Sequence, residues 1–289
     1  MRFSHLSTLI DRIKKTCTKL MLSWYNTGMN ISLFDFPTAY AIYFLVLTGV
    51  LGLVMGSFCN AWAWRLANNE KITHGRSHCT SCGHTLSPLD LVPLFSWLFL
   101  KGRCRYCGEK ISARYPITEL ISMLIYLTAL LRFGFSLDTV RFMLLGSFLL
   151  TASLVDIDIM EIPDRLLLFS SFAALLRLAV NADAWKPMLL GFFGVSVPLL
   201  IVVLIMEYII KRTAMGGGDI KLIAVLGLHF GILQTLYLLI ISCFVGLAAA
   251  FLSGRGAGKE FPFGPSIAIA AWITMLTGQQ VITAYLSLF

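Results

Sequence analysis

Charge is what this chain lacks. Only 13% of its 289 residues are charged, and 15 of them are acidic, while 57% are hydrophobic. That balance excludes a soluble globular domain. Histidine is scarce as well: five in the chain, with no Ser-His-Asp set for nucleophilic catalysis. His5, His74 and His229 are scattered and read as structural. No glycine-rich loop follows a strand pattern, so a dinucleotide-type cofactor fold is not indicated. The first 30 residues do not have the layout of a cleaved signal peptide. In them Leu6, Leu9, Ile13, Cys17, Leu20 and Trp24 recur at helical spacing, interleaved with Arg12, Lys14, Lys15 and Lys19. This pattern fits an amphipathic helix on a membrane surface, and equally an extension without a role.

What is present is a series of apolar runs. Crossing a bilayer takes about 20 such residues. Runs occur at Tyr40–Asn60, Ile117–Phe133, Thr139–Asp158, Leu166–Val180, Met188–Ile210 and Pro265–Leu286. Ile220–Ser253 is too long for one span and divides best near Gly227–Gly231. The expectation is an all-α polytopic membrane protein of about eight transmembrane helices. Lys and Arg concentrate in alternate loops: Arg65–Arg114, Arg165, Lys211–Lys221 and Arg255–Lys259. Outside the N-terminal tail, the other side keeps Arg132, Arg141, Arg177 and Lys186. The positive-inside rule therefore puts the large polar loop in the cytoplasm. The net charge of +8 reads as topology and affinity for membrane lipids, with no nucleic-acid partner. No sequence feature specifies an oligomeric state.

Four of the seven cysteines form two knuckles in that loop, Cys79-Thr-Ser-Cys82 and Cys104-Arg-Tyr-Cys107. They are an internal repeat, CTSCGHTLS against CRYCGEKIS. Each has glycine directly after its second cysteine, which suits a turn that aims backbone N–H groups at a thiolate. Four thiolates at this spacing match a structural zinc site. Two disulfides would need an oxidising compartment, and the loop faces a reducing one. His78 and His84 flank the first knuckle, but four cysteines need no further ligand. A metal staple also suits a loop too small to hold a core unaided.

Asp156 and Asp219 stand at membrane depth, where an ionisable residue marks a functional site by default. Asp156-Ile-Asp158-Ile-Met-Glu161-Ile-Pro-Asp164 holds four acids in nine residues. Successive helical residues turn by about 100°, so Asp156 and Asp158 face nearly opposite ways. The small Ala152 and Ser153 precede Asp156 by one turn, which picks Asp156 for the bundle interior. Asp164 reads as a helix cap. Asp219 follows Gly216, Gly217 and Gly218, expected to be an unwound segment open to close approach. Both acids return to the same membrane face. Two carboxylates sharing a site hold one proton between them. Such a pair activates water with one acid and polarises a carbonyl with the other, which is the chemistry of peptide hydrolysis.

At this point the motifs resemble those of the bacterial type IV prepilin peptidases, also called leader peptidase/N-methyltransferases. The resemblance runs from about Tyr40 to Leu286. It covers Gly56-Ser-Phe-Cys-Asn60 with Arg65, the cysteine loop from Arg76 through Tyr115-Pro-Ile-Thr-Glu-Leu120, and Ile162-Pro-Asp164 after Asp156. It also covers Gly216-Gly-Gly-Asp219-Ile-Lys221 and Pro262-Phe-Gly-Pro265. Thr80 and Gly217-Gly218 depart from the family's usual residues.

The resemblance implies a GxGD-type aspartic protease that cuts a short basic leader from prepilins and pseudopilins at the cytoplasmic face of the bacterial inner membrane. It implies methylation of the new N-terminal residue with S-adenosyl-L-methionine as donor. Carried over, Asp156 and Asp219 are the catalytic pair. Gly216, Gly217, Gly218, Lys221, Asp158 and Asp164 support them. Cys79, Cys82, Cys104 and Cys107 ligate zinc. No residue is assigned to the methyl donor. The implied organisation is an N-terminal extension over 1–35, a first span over 36–65, the cysteine loop over 66–116, linked to methyl transfer, and a membrane peptidase region over 117–289. Asp158, Glu161 and Asp164 are expected to attract the basic leader. Two other classes compete. A proton-coupled transporter would be expected to break helices at glycine in both halves, and one such segment is seen. A membrane-anchored zinc-ribbon scaffold leaves the aspartates without a role.

Overall fold

The computed structural model describes residues 32–71, 76–212, 215–252 and 261–288. The expected surface helix of the N-terminal extension lies outside them. Among the described residues there is no strand, only ten α-helices and short 3-10 turns. The α-helices are α1 (Thr38–Ala67), α2 (Phe95–Phe99), α3 (Arg114–Phe133), α4 (Leu137–Ile159) and α5 (Asp164–Ala174), then α6 (Leu176–Val180), α7 (Trp185–Ile210), α8 (Gly217–Phe230), α9 (Ile232–Leu252) and α10 (Gly264–Leu286).

Among the described residues, six segments are long and apolar enough to cross a membrane: α1, α3, α4, α7 with the turn before it, α9 and α10. The chain is thus a multi-pass membrane protein, and two of the eight expected spans take another form. The run Leu166–Val180 is divided into α5 and α6, which meet at Leu175. The run after Asp219 does break at Gly231, whose φ of 79° ends α8. The resulting α8 has 14 residues, about 21 Å of helix, short of the hydrocarbon thickness. It is instead sheathed by protein. Ile220, Leu222, Ile223, Ala224, Val225 and Leu226 are all buried, against α7, α5, α9 and α10.

Two packing devices set the frame. On α1, Gly52-x-x-x-Gly56 lets the backbone approach α3: a Cβ at either glycine would lie 2.6 Å from the Cα of Met123 or Glu119. This is the small-residue spacing by which membrane helices gain close contact without a hydrophobic drive between them. At the far end of α8, the guanidinium groups of Arg141 and Arg177 donate to the His229 carbonyl at 2.9 and 3.1 Å. They satisfy the carbonyl at a buried helix C-terminus. Asp138 balances Arg141 at 2.7 Å. His229 is 2% exposed, with Nε2 3.0 Å from the Ser170 carbonyl oxygen, in keeping with a structural role.

The α1–α3 contact gives a direct test. Gly52→Val forces backbone against backbone and should lower the melting temperature in detergent by several degrees, whereas Gly49→Ala, whose nearest neighbour is the flexible Met123 side chain at 3.7 Å, should leave it unchanged. Thermal unfolding followed by intrinsic fluorescence reads both.

Candidate functional site

The end of α4 and the starts of α8 and α10 meet around Asp156. Helix α4 begins at Ser136, whose hydroxyl accepts from the Thr139 N–H at 3.2 Å. It ends in a left-handed residue, Met160, whose N–H returns to the Asp156 carbonyl. This places Asp156 in the last turn, on the buried face with Ala152 and Ser153. The side chain is 5% exposed, and its Oδ2 accepts the Gly264 N–H at 2.8 Å. Gly264 opens α10 from the Pro262-Phe-Gly-Pro265 turn. A Cβ there would stand 2.8 Å from Oδ2, so the carboxylate fits only against glycine. No sequence argument assigned Gly264 to the site; the glycine-proline pair at a helix start was the available signal.

The helix-face expectation holds. Asp158 points away from Asp156 and is exposed, where it binds Arg114 through both oxygens at 2.6 and 2.8 Å. Arg114 opens α3 and also donates to the Leu154 carbonyl at 3.2 Å. The pair therefore ties the end of α4 to the start of α3.

Asp219 sits in the first turn of α8, half-buried. Its charge and that of Asp156 are near enough to interact. The three glycines differ from the expected unwound segment. Gly216 is the N-cap, with φ −62° and ψ 133°, and Gly217 and Gly218 are already helical. Their smallness serves space instead. A Cβ on Gly218 would crowd Ile162 at 3.2 Å, while one on Gly217 would meet nothing within 4 Å. Gly218 thus brings α8 against the link between α4 and α5, and Gly217 leaves room beside Asp219. As the N-terminus of α8, this turn also offers positive backbone potential to a carboxylate.

Asp164 departs from the expected cap. Pro163, which has no polar side-chain atom, is the N-cap residue of α5, and Asp164, already inside the helix, accepts from Lys221 at 2.8 Å. That exposed ion pair joins α5 to α8. Glu161 is exposed between the two segments.

The cysteine loop forms a second centre. The Sγ atoms of Cys79, Cys82, Cys104 and Cys107 lie within 4.8 Å of one another, with Cys79 and Cys107 at 3.9 Å. A tetrahedral thiolate site with metal–sulfur bonds of about 2.3 Å has sulfurs about 3.8 Å apart, so the cluster fits such a metal. The knuckles are structural duplicates. Gly83 and Gly108 follow the second cysteines with φ of 70° and 74°, and their N–H groups reach back to the Cys79 and Cys104 carbonyls at 2.9 Å each. Backbone N–H groups of Cys82 and Ser81 pull the Cys79 thiol down to about 6, while desolvation and the three neighbouring sulfurs push the Cys107 thiol up to about 12, so the four ionise together only around a cation. His78 and His84 stay outside the cluster. His84 packs on Tyr106, with ring centroids 3.7 Å apart.

Comparison with known proteins agrees with this geometry. A family described as Bacterial Peptidase A24 N-terminal domain matches residues 50–133, and the Type IV leader peptidase family matches residues 143–251. The chain is 35% identical to a prepilin leader peptidase/N-methyltransferase of Bacillus subtilis, over 83% of this chain and 96% of that one. It is 32% identical to the protein of the same name from Xanthomonas campestris, over 82% and 92%. It is 33% identical to a type 4 prepilin-like proteins leader peptide-processing enzyme of Escherichia coli, over 84% and 97%. No solved structure matches significantly. With three helix ends meeting around Asp156, a duplicated cysteine knuckle and relatives alike over nearly their whole length, this chain belongs to the prepilin leader peptidase/N-methyltransferase family.

Proposed function

We propose that this protein is a membrane aspartic endopeptidase that removes the short basic leader of prepilins and pseudopilins, and then methylates the new N-terminal amine. The observation that carries the proteolytic half is the juxtaposition of buried Asp156 with Asp219 at one end of the bundle. The names of the relatives supply the substrate class and the methyl transfer. The Lys and Arg of the cysteine loop, with Lys211, Arg212 and Lys221, favour the cytoplasmic side of the bacterial inner membrane for this end.

The chemistry follows from the pair. One aspartate is ionised and takes a proton from a water molecule, whose oxygen attacks the scissile carbonyl carbon. The other is protonated and hydrogen-bonds the carbonyl oxygen as negative charge builds there. The C–N bond then breaks and the leaving amine receives a proton from the pair. The Gly264 N–H fixes one Asp156 oxygen, leaving the other to face the substrate. The open space beside Gly217 admits an extended peptide backbone next to Asp219. Asp158 and Asp164 act indirectly. Their ion pairs with Arg114 and Lys221 are solvent-exposed and worth little each, so a basic leader can exchange into them beside Glu161. The four cysteines would hold zinc as a closed structural site. Bound S-adenosyl-L-methionine would supply the methyl group.

Asp156→Asn and Asp219→Asn should each slow leader cleavage at least about a thousandfold, while Asp158→Asn should stay within about threefold of the unaltered enzyme. Gel assays on purified enzyme with a prepilin in lipid nanodiscs decide this, and wild-type rates for either of the first two would contradict the reading. Elemental analysis should find about one zinc per chain. Cys104→Ser should lose it and expose the loop to protease before it slows cleavage.

A further inference from the structure

The cysteine loop carries an exposed apolar face. Between the two knuckles, Leu89, Leu91, Val92, Phe95, Leu98 and Phe99 are all exposed, Phe99 by 80%. A patch of that kind marks a surface that meets a protein, a ligand or a membrane. Helix α2 orders it. Phe95, Leu98 and Phe99 stand at i, i+3 and i+4 and share one side of the helix. The opposite side is fixed to the loop. Trp97 donates from Nε1 to the Ile111 carbonyl at 3.1 Å, and its ring lies on Gly102, where a Cβ would stand 2.9 Å away. Asp90 accepts from Ser87, Arg105 and Tyr106, which ties the turn before α2 to the second knuckle. The outward face is therefore held in one orientation.

Its height along the bundle says what it meets. The Leu94 N–H, just before α2, donates to Glu119 Oε2 on α3 at 2.6 Å, and Glu119 also takes a hydrogen bond from the Ser57 hydroxyl of α1. Arg65 stands in the last turn of α1, where a cation marks the headgroup level. Ser57 lies about 12 Å along the helix below it. Leu91 and Pro93 share a groove with Val54, Phe58 and Arg65, and Val54 and Phe58 are exposed on the outer side of this span. The patch is thus continuous with a surface that the bilayer covers. At that depth each backbone polar group needs a protein partner. The N–H groups of Ser96, Leu98 and Leu100 donate to the carbonyls of Val92, Leu94 and Ser96 at 3.0 Å each. Glu119 takes the Leu94 N–H, and Pro88 and Pro93 have none to satisfy. Lys101 and Arg103 follow α2 and are exposed, where their cations suit the phosphates of anionic headgroups.

We propose that residues 89–99 are a membrane-interface anchor, with Phe95, Leu98 and Phe99 seated among the acyl chains of the leaflet at the Asp156 end of the bundle. Insertion of this kind reaches about 5–10 Å below the headgroups. The cysteine loop is then a cap bound to the lipid surface, and its four-thiol cluster is held beside the bilayer instead of standing free in water. The anchor is independent of the catalytic reading, because it rests on exposure and depth alone.

The test puts a reporter at the most exposed of these positions. Phe99→Trp in the full-length protein, reconstituted in phosphatidylglycerol-containing nanodiscs, should unfold at the same temperature as the unaltered chain. Its added emission should fall by about half when the lipids are brominated in the upper acyl chain, and it should resist iodide in the water. Emission quenched by iodide and untouched by brominated lipid would overturn the proposal. A photoreactive diazirine phenylalanine at position 99 gives a second reading in native membranes. Adducts with phospholipid support the anchor. Adducts with protein instead, whether residues 1–31 of this chain, a second copy or a prepilin, overturn it.

Discussion

The structure turns on a carboxylate that the membrane would otherwise reject. Asp156 is tolerated because the chain brings a backbone N–H to it from the start of α10 and stacks small residues along its helix face. Satisfying that one oxygen requires α10 to begin at the level where α4 ends, and requires glycine at the point of contact. The rest of the bundle is arranged to make this possible. Helix α8 is too short to span, yet it is buried so that its first turn delivers Asp219 to the same level. The Arg141 and Arg177 pair closes its other end at the His229 carbonyl.

The bundle holds together by different means at its two halves. Helices α1 and α3 approach through glycine, by shape, and carry the cysteine loop between them. Helices α4, α5, α8 and α10 share an apolar core that includes Leu149, Leu167, Ile223, Leu226 and Ile267, with Lys221–Asp164 as an exposed tie between α5 and α8. Such ties contribute little energy but fix which ends lie together. The two halves join where Arg114 crosses from α3 to α4.

Much of this was legible in the sequence. Composition gave the membrane class, the knuckle repeat gave the four-thiol cluster down to its positive-φ glycines, and the 100° turn separated Asp156 from Asp158. What stayed hidden depended on partners distant in the chain. Gly216–Gly218 looks like an unwound linker until Ile162 is seen against Gly218. Asp164 looks like a cap until Lys221 takes its carboxylate. Apolar runs count spans only if each run is one helix exposed to lipid, and both Leu166–Val180 and the segment after Asp219 break that condition.

The central claim is that Asp156 and Asp219 act as one unit. A double-mutant cycle on leader cleavage, with Asp156→Asn, Asp219→Asn and both together, measures this most directly. Groups that share a proton and a water are lost together, so the double variant should be no slower than the worse single one. Losses that multiply, or a single variant that cleaves at the normal rate, would show two independent residues and contradict the account.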